Sequence, residues 1–153
     1  MMRFPRLCLL AMLCAVSSLR AQPAAILTGW DHITVAPMKT SIYIGSVTLT
    51  TGVFERSGST LTTTYEASVR PWFFWGESGT ITINLSDTEL AKMARGERAE
   101  FTGTGANQKK KPRTVTGYAQ PADASSGKMK VRVMADGIEL IFNGTYHFGA
   151  APK

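Results

Sequence analysis

Apolar and polar residues alternate with a period of two through most of the chain after residue 41, and no other feature constrains the fold as strongly. The alternation is clearest in residues 61–70, 81–85, 128–133 and 138–148. Successive side chains of a β-strand point to opposite faces, so each segment predicts a strand with one apolar face. Because these faces must be buried, we expect an all-β domain of about seven strands. An antiparallel meander closed into a small barrel or folded into a two-layer sandwich would bury them.

Turn residues separate the predicted strands. Asp136-Gly137 stands between two alternating segments, and both residues tolerate the positive φ of a tight primed hairpin turn. Residues 108–112 predict a polar loop tip between two further strands. At Gly45-Ser46 the apolar positions change parity, and a β-bulge there would keep the apolar side chains on the inner face.

One segment has helical signals instead. Ser86 and Glu89 have the spacing of a capping box, in which each side chain accepts a hydrogen bond from the other residue's backbone amide. Gly96 suits the position after the last helical turn. We therefore expect one short helix at about 87–95, packed against an end or edge of the sheet.

The first 21 residues have the pattern of a secretory signal peptide. Arg3 and Arg6 form a basic start, residues 7–16 are uncharged and apolar, and Ala21 is the expected last residue. We predict that residues 1–21 are removed on export to the periplasm or the extracellular space, and that no transmembrane segment then remains. Removal takes away both cysteines and three arginines, so the formal net charge falls from +6 to +3.

The chain therefore divides into a signal peptide (1–21), a weakly patterned lead-in (22–40), a single β domain (41–148) and a tail (149–153). Apolar residues make up 44% of the chain and charged residues 18%, which is ordinary for one globular domain and excludes wholesale disorder. Charged residues at outward positions favour a soluble barrel over a transmembrane one, whose outer band is apolar. These outward residues are Glu66, Arg70, Lys128, Lys130, Arg132 and Glu139.

The most unusual local feature is a run of four aromatic residues at 72–75. Rings on successive residues of a strand point to both of its faces, so some of them must lie outside the core. They either cover a barrel end or edge, or contact an apolar or amphipathic molecule, a membrane or a partner. Tyrosine hydroxyls elsewhere in the strands would add polar groups to a ligand cavity. The candidate ligand-binding residues are Trp72, Phe73, Phe74, Trp75, Tyr65, Tyr118 and Tyr146.

The one run of like charge is basic and comprises Lys109, Lys110, Lys111 and Arg113. A solvated hairpin tip explains it, since lysines also discourage pairing between strand edges. Contact with an anionic surface, such as phospholipid or a cell-wall polymer, is the functional alternative. Nucleic acid is not an expected partner, because no aromatic residues are interleaved with these charges.

The sequence has no catalytic motif. His32 and His147 lack a second metal ligand at helical or hairpin spacing, and the carboxylates of Glu97 and Glu100 are expected to be solvated. We therefore expect no metal site, no cofactor and no enzymatic activity. A hydrolase that uses scattered carboxylates or His147 is the least favoured alternative.

These observations together predict an exported, non-enzymatic binding module for an apolar or amphipathic small molecule or an envelope component. The alternative is a structural or protein-interaction component of the cell envelope with no ligand pocket. The identity of a ligand and the oligomeric state are not specified by the sequence.

Overall fold

A computed structural model of the chain describes residues 30–149. These residues form ten β-strands, one α-helix and a short 3₁₀ turn at Phe73–Trp75. The elements are β1 His32–Val35, β2 Met38–Ile42, β3 Gly45–Thr51, β4 Phe54–Ser57, β5 Thr60–Arg70, β6 Glu77–Asn84, α1 Asp87–Ala94, β7 Ala99–Asn107, β8 Pro112–Pro121, β9 Ser126–Ala135 and β10 Ile138–Phe148. The helix therefore interrupts an otherwise continuous series of strands.

The strands form one antiparallel sheet that closes on itself. Eight of them make a ring in the order β5, β4, β1, β10, β9, β8, β7 and β6, and β6 pairs back to β5. The β2–β3 hairpin lies outside this ring, where β3 pairs with the second half of β5 from Ser46↔Arg70 to Thr51↔Tyr65. The predicted all-β meander is confirmed, and of the two predicted architectures the closed barrel is the one that forms.

The strand count differs from the predicted seven because of the N-terminal part. β1 and the first residues of β2 lie within residues 22–40, the segment predicted to be a weakly patterned lead-in. The bulge predicted at Gly45-Ser46 is wrong, because the chain reverses at Tyr43-Ile44 and β2 pairs with β3 from Ile42↔Gly45 onward. The parity change there therefore reflects a hairpin. The predicted signal peptide (1–21) and most of the predicted tail lie outside the described residues.

The apolar faces of the strands fill the barrel. Phe142, Leu90 and Val115 are the largest side chains that are fully buried. The interior that the described residues enclose retains a cavity of only about 70 Å³. Ligand sites for drug-sized molecules are typically about 300–1,000 Å³, so a ligand of that size has no room inside the barrel.

Strand glycines make room for large interior side chains. Phe101 on β7 lies directly opposite Gly117 on β8, and Tyr146 on β10 lies opposite Gly127 on β9. A methyl group added to Gly117 would lie 2.6 Å from Cζ of Phe101 and would also meet the carbonyl oxygen of Lys130. The close approach of ring and backbone therefore requires glycine at this position.

Gly117→Ala is expected to lower the free energy of unfolding by about 2 kcal/mol, because neither the packed ring nor the backbone carbonyl can move away freely. Gly144→Ala is the matched control. Its new methyl group would meet the flexible side chain of Met38, at 2.7 Å from Sδ, and should cost less than about 1 kcal/mol. Urea denaturation of both variants tests whether Gly117→Ala lowers the free energy of unfolding more than Gly144→Ala does. An equal loss in the two variants would contradict the packing explanation.

The strand connections divide the barrel into two ends. One end carries the turns at residues 43–44, 71–76, 108–111 and 136–137, and we call it the aromatic end. Within it, residues 108–111 are called the lysine loop. Asp136 and Gly137 have φ values of +49° and +84°, which confirms the primed turn predicted for this hairpin.

The opposite end, called the helix end, is covered by α1. Leu90 and Met93 on the helix are buried against the barrel. The hydroxyl of Ser86 caps the helix by accepting a hydrogen bond from the Glu89 amide at 3.3 Å. The Glu89 carboxylate instead accepts from the Glu100 amide at 2.8 Å, so only half of the predicted capping box forms. No helix within residues 30–149 has the length and apolar character needed to cross a bilayer.

Candidate functional site at the aromatic end

Exposed apolar side chains concentrate at the aromatic end. Nine large apolar side chains are exposed in the described part of the chain, and only Val53 lies elsewhere. Exposed apolar side chains gathered at one end of a molecule mark an interaction site more often than scattered exposed residues do. The eight at this end are Tyr43, Ile44, Trp72, Phe73, Phe74, Trp75, Met134 and Ile138.

The aromatic run forms a cluster outside the core. Phe73 is 82% exposed and the least exposed ring, that of Trp72, is still 43% exposed. The rings touch edge to face, with 5.9 Å between the centroids of Trp72 and Phe74 and 5.6 Å between those of Phe74 and Trp75. A strand would have sent alternate rings into the core, whereas the 3₁₀ turn leaves all four in contact with solvent. The rings therefore do not fill the end of the barrel.

An open groove of about 1100 Å³ lies beside this cluster. It forms where β5 and β6 separate, because their pairing ends at Ala67↔Glu77 while β5 continues along β3 to Arg70. The chain then returns to β6 through the aromatic run, so that Phe73 and Arg70 both line the groove. Glu66 and Glu77 line it as well, which gives the groove both apolar and charged groups.

A polar cluster is buried at the same end. The side chain of Arg113 is 4% exposed and forms a two-point ion pair with Glu77, with Nε–Oε1 at 2.9 Å and Nη2–Oε2 at 2.6 Å. The Tyr65 hydroxyl donates to the same carboxylate at 2.9 Å, and the Asn107 amide donates at 3.0 Å. Arg113 also contacts Asp136 at 3.2 Å. The buried charges are therefore paired and hydrogen-bonded, as burial requires.

These contacts fix the charge states of the cluster. The hydrogen bond from Arg113 is the main cause that lowers the pKa of Glu77 from 4.5 to about 2. The same hydrogen bond raises the pKa of Arg113 further above its usual range. Burial, followed by the hydrogen bond to Glu77, raises the pKa of Tyr65 well above its ordinary value. None of these three groups is poised to exchange a proton near neutral pH, as a general acid or base must be.

Asn107 connects the buried cluster to the lysine loop. Its Oδ1 accepts hydrogen bonds from the amides of Lys109 at 3.0 Å and Lys111 at 2.9 Å. The Gln108 amide donates to the Ser78 carbonyl at 2.7 Å, and its side-chain oxygen accepts from the Ser78 amide at 2.9 Å. The loop is thereby held next to the start of β6, where the aromatic run ends.

The structure separates the tyrosines that the sequence proposed as ligand contacts. Tyr65 is buried at the aromatic end, with its hydroxyl on Glu77. Tyr146 is buried inside the barrel, and no hydrogen-bond partner for its hydroxyl is present among the described residues. Tyr118 lies on the wall near the helix end, where the Arg98 guanidinium stacks 3.5 Å from its ring centroid. The three tyrosines therefore do not share a cavity with the aromatic run.

The basic run also divides. Lys109, Lys110 and Lys111 are exposed on the lysine loop, in agreement with a solvated hairpin tip. The prediction that Arg113 contacts an anionic surface together with these lysines is wrong, because its guanidinium is buried and paired with Glu77. The physical reason is strand alternation, since Arg113 has the same parity as the buried Val115. In the sequence, the signal of a buried charge at this site is therefore the inward position of Arg113 in its strand.

The remaining candidates for chemistry lie apart from this site. His32 and His147 are exposed, and no group of three or more His, Cys, Asp or Glu side chains in residues 30–149 is close enough to hold a metal ion. Glu97 and Glu100 are exposed, and each pairs with a nearby arginine. These two carboxylates are therefore solvated ion pairs, as expected for charged groups on the surface.

Comparisons of the chain with protein-family models, with curated proteins and with solved structures found no match. The chemistry of the aromatic end is therefore the basis for assigning a function. That end combines exposed rings, an open groove with charged groups in its lining, and a cationic loop that a buried polar cluster supports.

Proposed function

We propose that this protein is an exported, non-enzymatic binding module that takes an apolar or amphipathic small molecule or an envelope component at the aromatic end. The observation that carries the proposal is an open groove of about 1100 Å³ whose lining includes the exposed ring of Phe73. Ligand sites are commonly concave, mostly apolar and equipped with a few polar groups that orient the ligand. The filled barrel interior supports a site in this groove.

The groove lining suits an amphipathic molecule. Phe73 and Val69 offer apolar surface, and Arg70 lines the same groove without an ion-pair partner among the described residues. A guanidinium recognises a carboxylate or phosphate through paired hydrogen bonds. An apolar chain against the Phe73 side, with an anionic group near Arg70, would therefore use both kinds of lining.

The polar outer wall of the barrel supports a protein whose wall faces water. Across β5, β6, β7 and β8 eight outward positions are threonine, and Thr62 lies opposite Thr82 with 3.2 Å between their hydroxyl oxygens. A wall that faces lipid would instead need an apolar band. The outward threonines of these strands are Thr62, Thr64, Thr80, Thr82, Thr102, Thr104, Thr114 and Thr116.

Tryptophan fluorescence tests the proposal directly. Trp72 and Trp75 belong to the same ring cluster as Phe73, which lines the groove, whereas Trp30 is buried at the helix end against Phe148. Titration of the purified protein with monomeric lysophosphatidylglycerol is expected to give a saturable shift of the emission. Arg70→Gln should weaken this binding by about tenfold, since it removes a charged hydrogen-bond donor. Lysophosphatidylcholine, whose zwitterionic headgroup has no net charge, serves as the comparison probe and should be less affected by this substitution.

Tyr118→Ala is the matched control, because it removes a ring near the opposite end of the barrel. Its titration should equal that of the unmodified protein. If neither lysophospholipid, nor an uncharged apolar dye, gives a saturable signal, the binding proposal is wrong. That result would favour the alternative, a structural or protein-interaction component of the envelope.

A further inference from the structure

We infer that the aromatic end docks onto an anionic phospholipid surface, with its rings in the interfacial layer and the lysine loop against the headgroups. This inference goes beyond the proposed small-molecule site and does not require the groove to be occupied. It depends on three observations: the common direction of the four turns, the type of side chain exposed there, and the surplus of positive charge.

The barrel topology directs all the exposed groups to one side. In a meander of antiparallel strands, alternate connections lie at the same end, so the turns at 43–44, 71–76, 108–111 and 136–137 surround one opening. The four turns therefore lie on one side of the molecule. The helix end differs, because Trp30 and Phe148 stack on each other there at 4.2 Å and α1 covers the barrel.

The exposed side chains are of the kind that membrane interfaces favour. Trp72, Trp75 and Tyr43 each have an apolar body and a polar edge, and such residues are enriched at the headgroup level of bilayers. Phe73 and Ile44 add purely apolar surface at neighbouring turns. A surface that combines both types is suited to shallow insertion among headgroups.

The charge distribution selects an anionic surface. Lys109 and Lys110 are exposed and have no carboxylate partner among the described residues, and Lys111 is 3.5 Å from Asp136. Two acidic residues at this end, Glu77 and Asp136, are already engaged by Arg113, and a third, Glu66, lines the groove together with Arg70. The local excess of positive charge is therefore available to phosphate headgroups, and the hydrogen bonds from Asn107 fix the loop that presents it.

Vesicle cosedimentation tests the inference with phosphatidylcholine vesicles and with vesicles that also contain phosphatidylglycerol. The purified protein is expected to bind the mixed vesicles strongly at low salt and weakly at high salt. Each lysine near an anionic surface contributes about fivefold to affinity, so Lys109→Gln/Lys110→Gln/Lys111→Gln should weaken binding by about a hundredfold. Phe73→Ser/Phe74→Ser should weaken binding to both kinds of vesicle, because it removes the inserted rings.

The triple variant Lys39→Gln/Lys128→Gln/Lys130→Gln is the matched control. It makes the same change in net charge on strands β2 and β9, away from the lysine loop, and should alter binding by less than about threefold. Circular dichroism and thermal melts establish that every variant is folded, which is expected because all the replaced side chains lie on the surface.

Three results would overturn the inference. The first is no binding to phosphatidylglycerol vesicles, and the second is an equal loss in the two lysine variants. The third is a dimer in sedimentation velocity that Phe73→Ser/Phe74→Ser converts to a monomer, since a second copy would then cover the rings. Vesicle binding without binding of monomeric lysophospholipid would support docking and contradict only the proposed groove site.

Discussion

Arg113→Met is expected to lower the free energy of unfolding by about 3–5 kcal/mol, the range for removing one partner of a buried ion pair. The half-buried carboxylate of Glu77 would stay at the barrel end with hydrogen bonds from Tyr65 and Asn107 but without its cation. Glu77→Met should have a somewhat smaller effect, because Asp136 still contacts the guanidinium at 3.2 Å. Urea denaturation measures both values.

The double variant Arg113→Met/Glu77→Met completes the cycle. It should recover most of the lost stability, because apolar side chains of similar volume often replace a buried ion pair at little cost. Arg95→Met is the control, since its ion pair with Glu97 is exposed on both sides and should contribute less than about 1 kcal/mol. If Arg113→Met lowers the free energy of unfolding no more than Arg95→Met does, the ion pair between Arg113 and Glu77 does not stabilise the barrel end.

The second large effect is a loss of stability in acid. The folded protein holds the pKa of Glu77 at about 2, below its ordinary value of 4.5. A lowered folded-state pKa stabilises the protein at pH values above the ordinary pKa, and this contribution is lost as the pH falls toward the folded-state value. Glu77 should therefore account for about 3 kcal/mol of stability that disappears between about pH 4.5 and pH 2.

Urea denaturation at a series of pH values tests this dependence against the double variant Arg113→Met/Glu77→Met. The variant should lose less stability over the same pH interval, because it lacks the titrating carboxylate. Some acid dependence should remain, since hydrogen bonds from Ser126 and Ser125 also lower the pKa of Asp123, to about 2. Identical acid dependence of the two proteins would contradict the assignment to Glu77.

The alternation in the sequence predicted the barrel because it records which side chains face inward. It identified the inward positions of β5 and β9 and the primed turn at Asp136-Gly137, all of which depend on neighbouring residues. It could not predict that β6 pairs back to β5, because ring closure depends on the register of distant strands. The β2–β3 hairpin was missed because Tyr43-Ile44 has none of the glycine, asparagine or aspartate residues that usually mark a tight turn.

The candidate site was predictable only in part, because it too depends on the pairing of strands that are distant in the sequence. The aromatic run is visible in the sequence, but Tyr43 and Ile44 join it only because the barrel brings their turn to the same end. Glu77 and Arg113 each stand at an inward position of their strand, which is a local signal of a buried charge. Their contact depends on two successive registers, Gly79↔Asn107 and Gly105↔Arg113, which the alternation alone does not determine.

The stack of Trp30 on Phe148 bears on how the protein can be handled. Because these rings lie 4.2 Å apart at the helix end, the described chain both enters and leaves the barrel on the side opposite the rings at 72–75. An affinity tag or a fluorescent fusion partner joined at residue 149 would be attached at the helix end, opposite those rings. A molecule immobilised through such a tag would present the turns of the aromatic end to the flowing sample, and this orientation suits biosensor measurements.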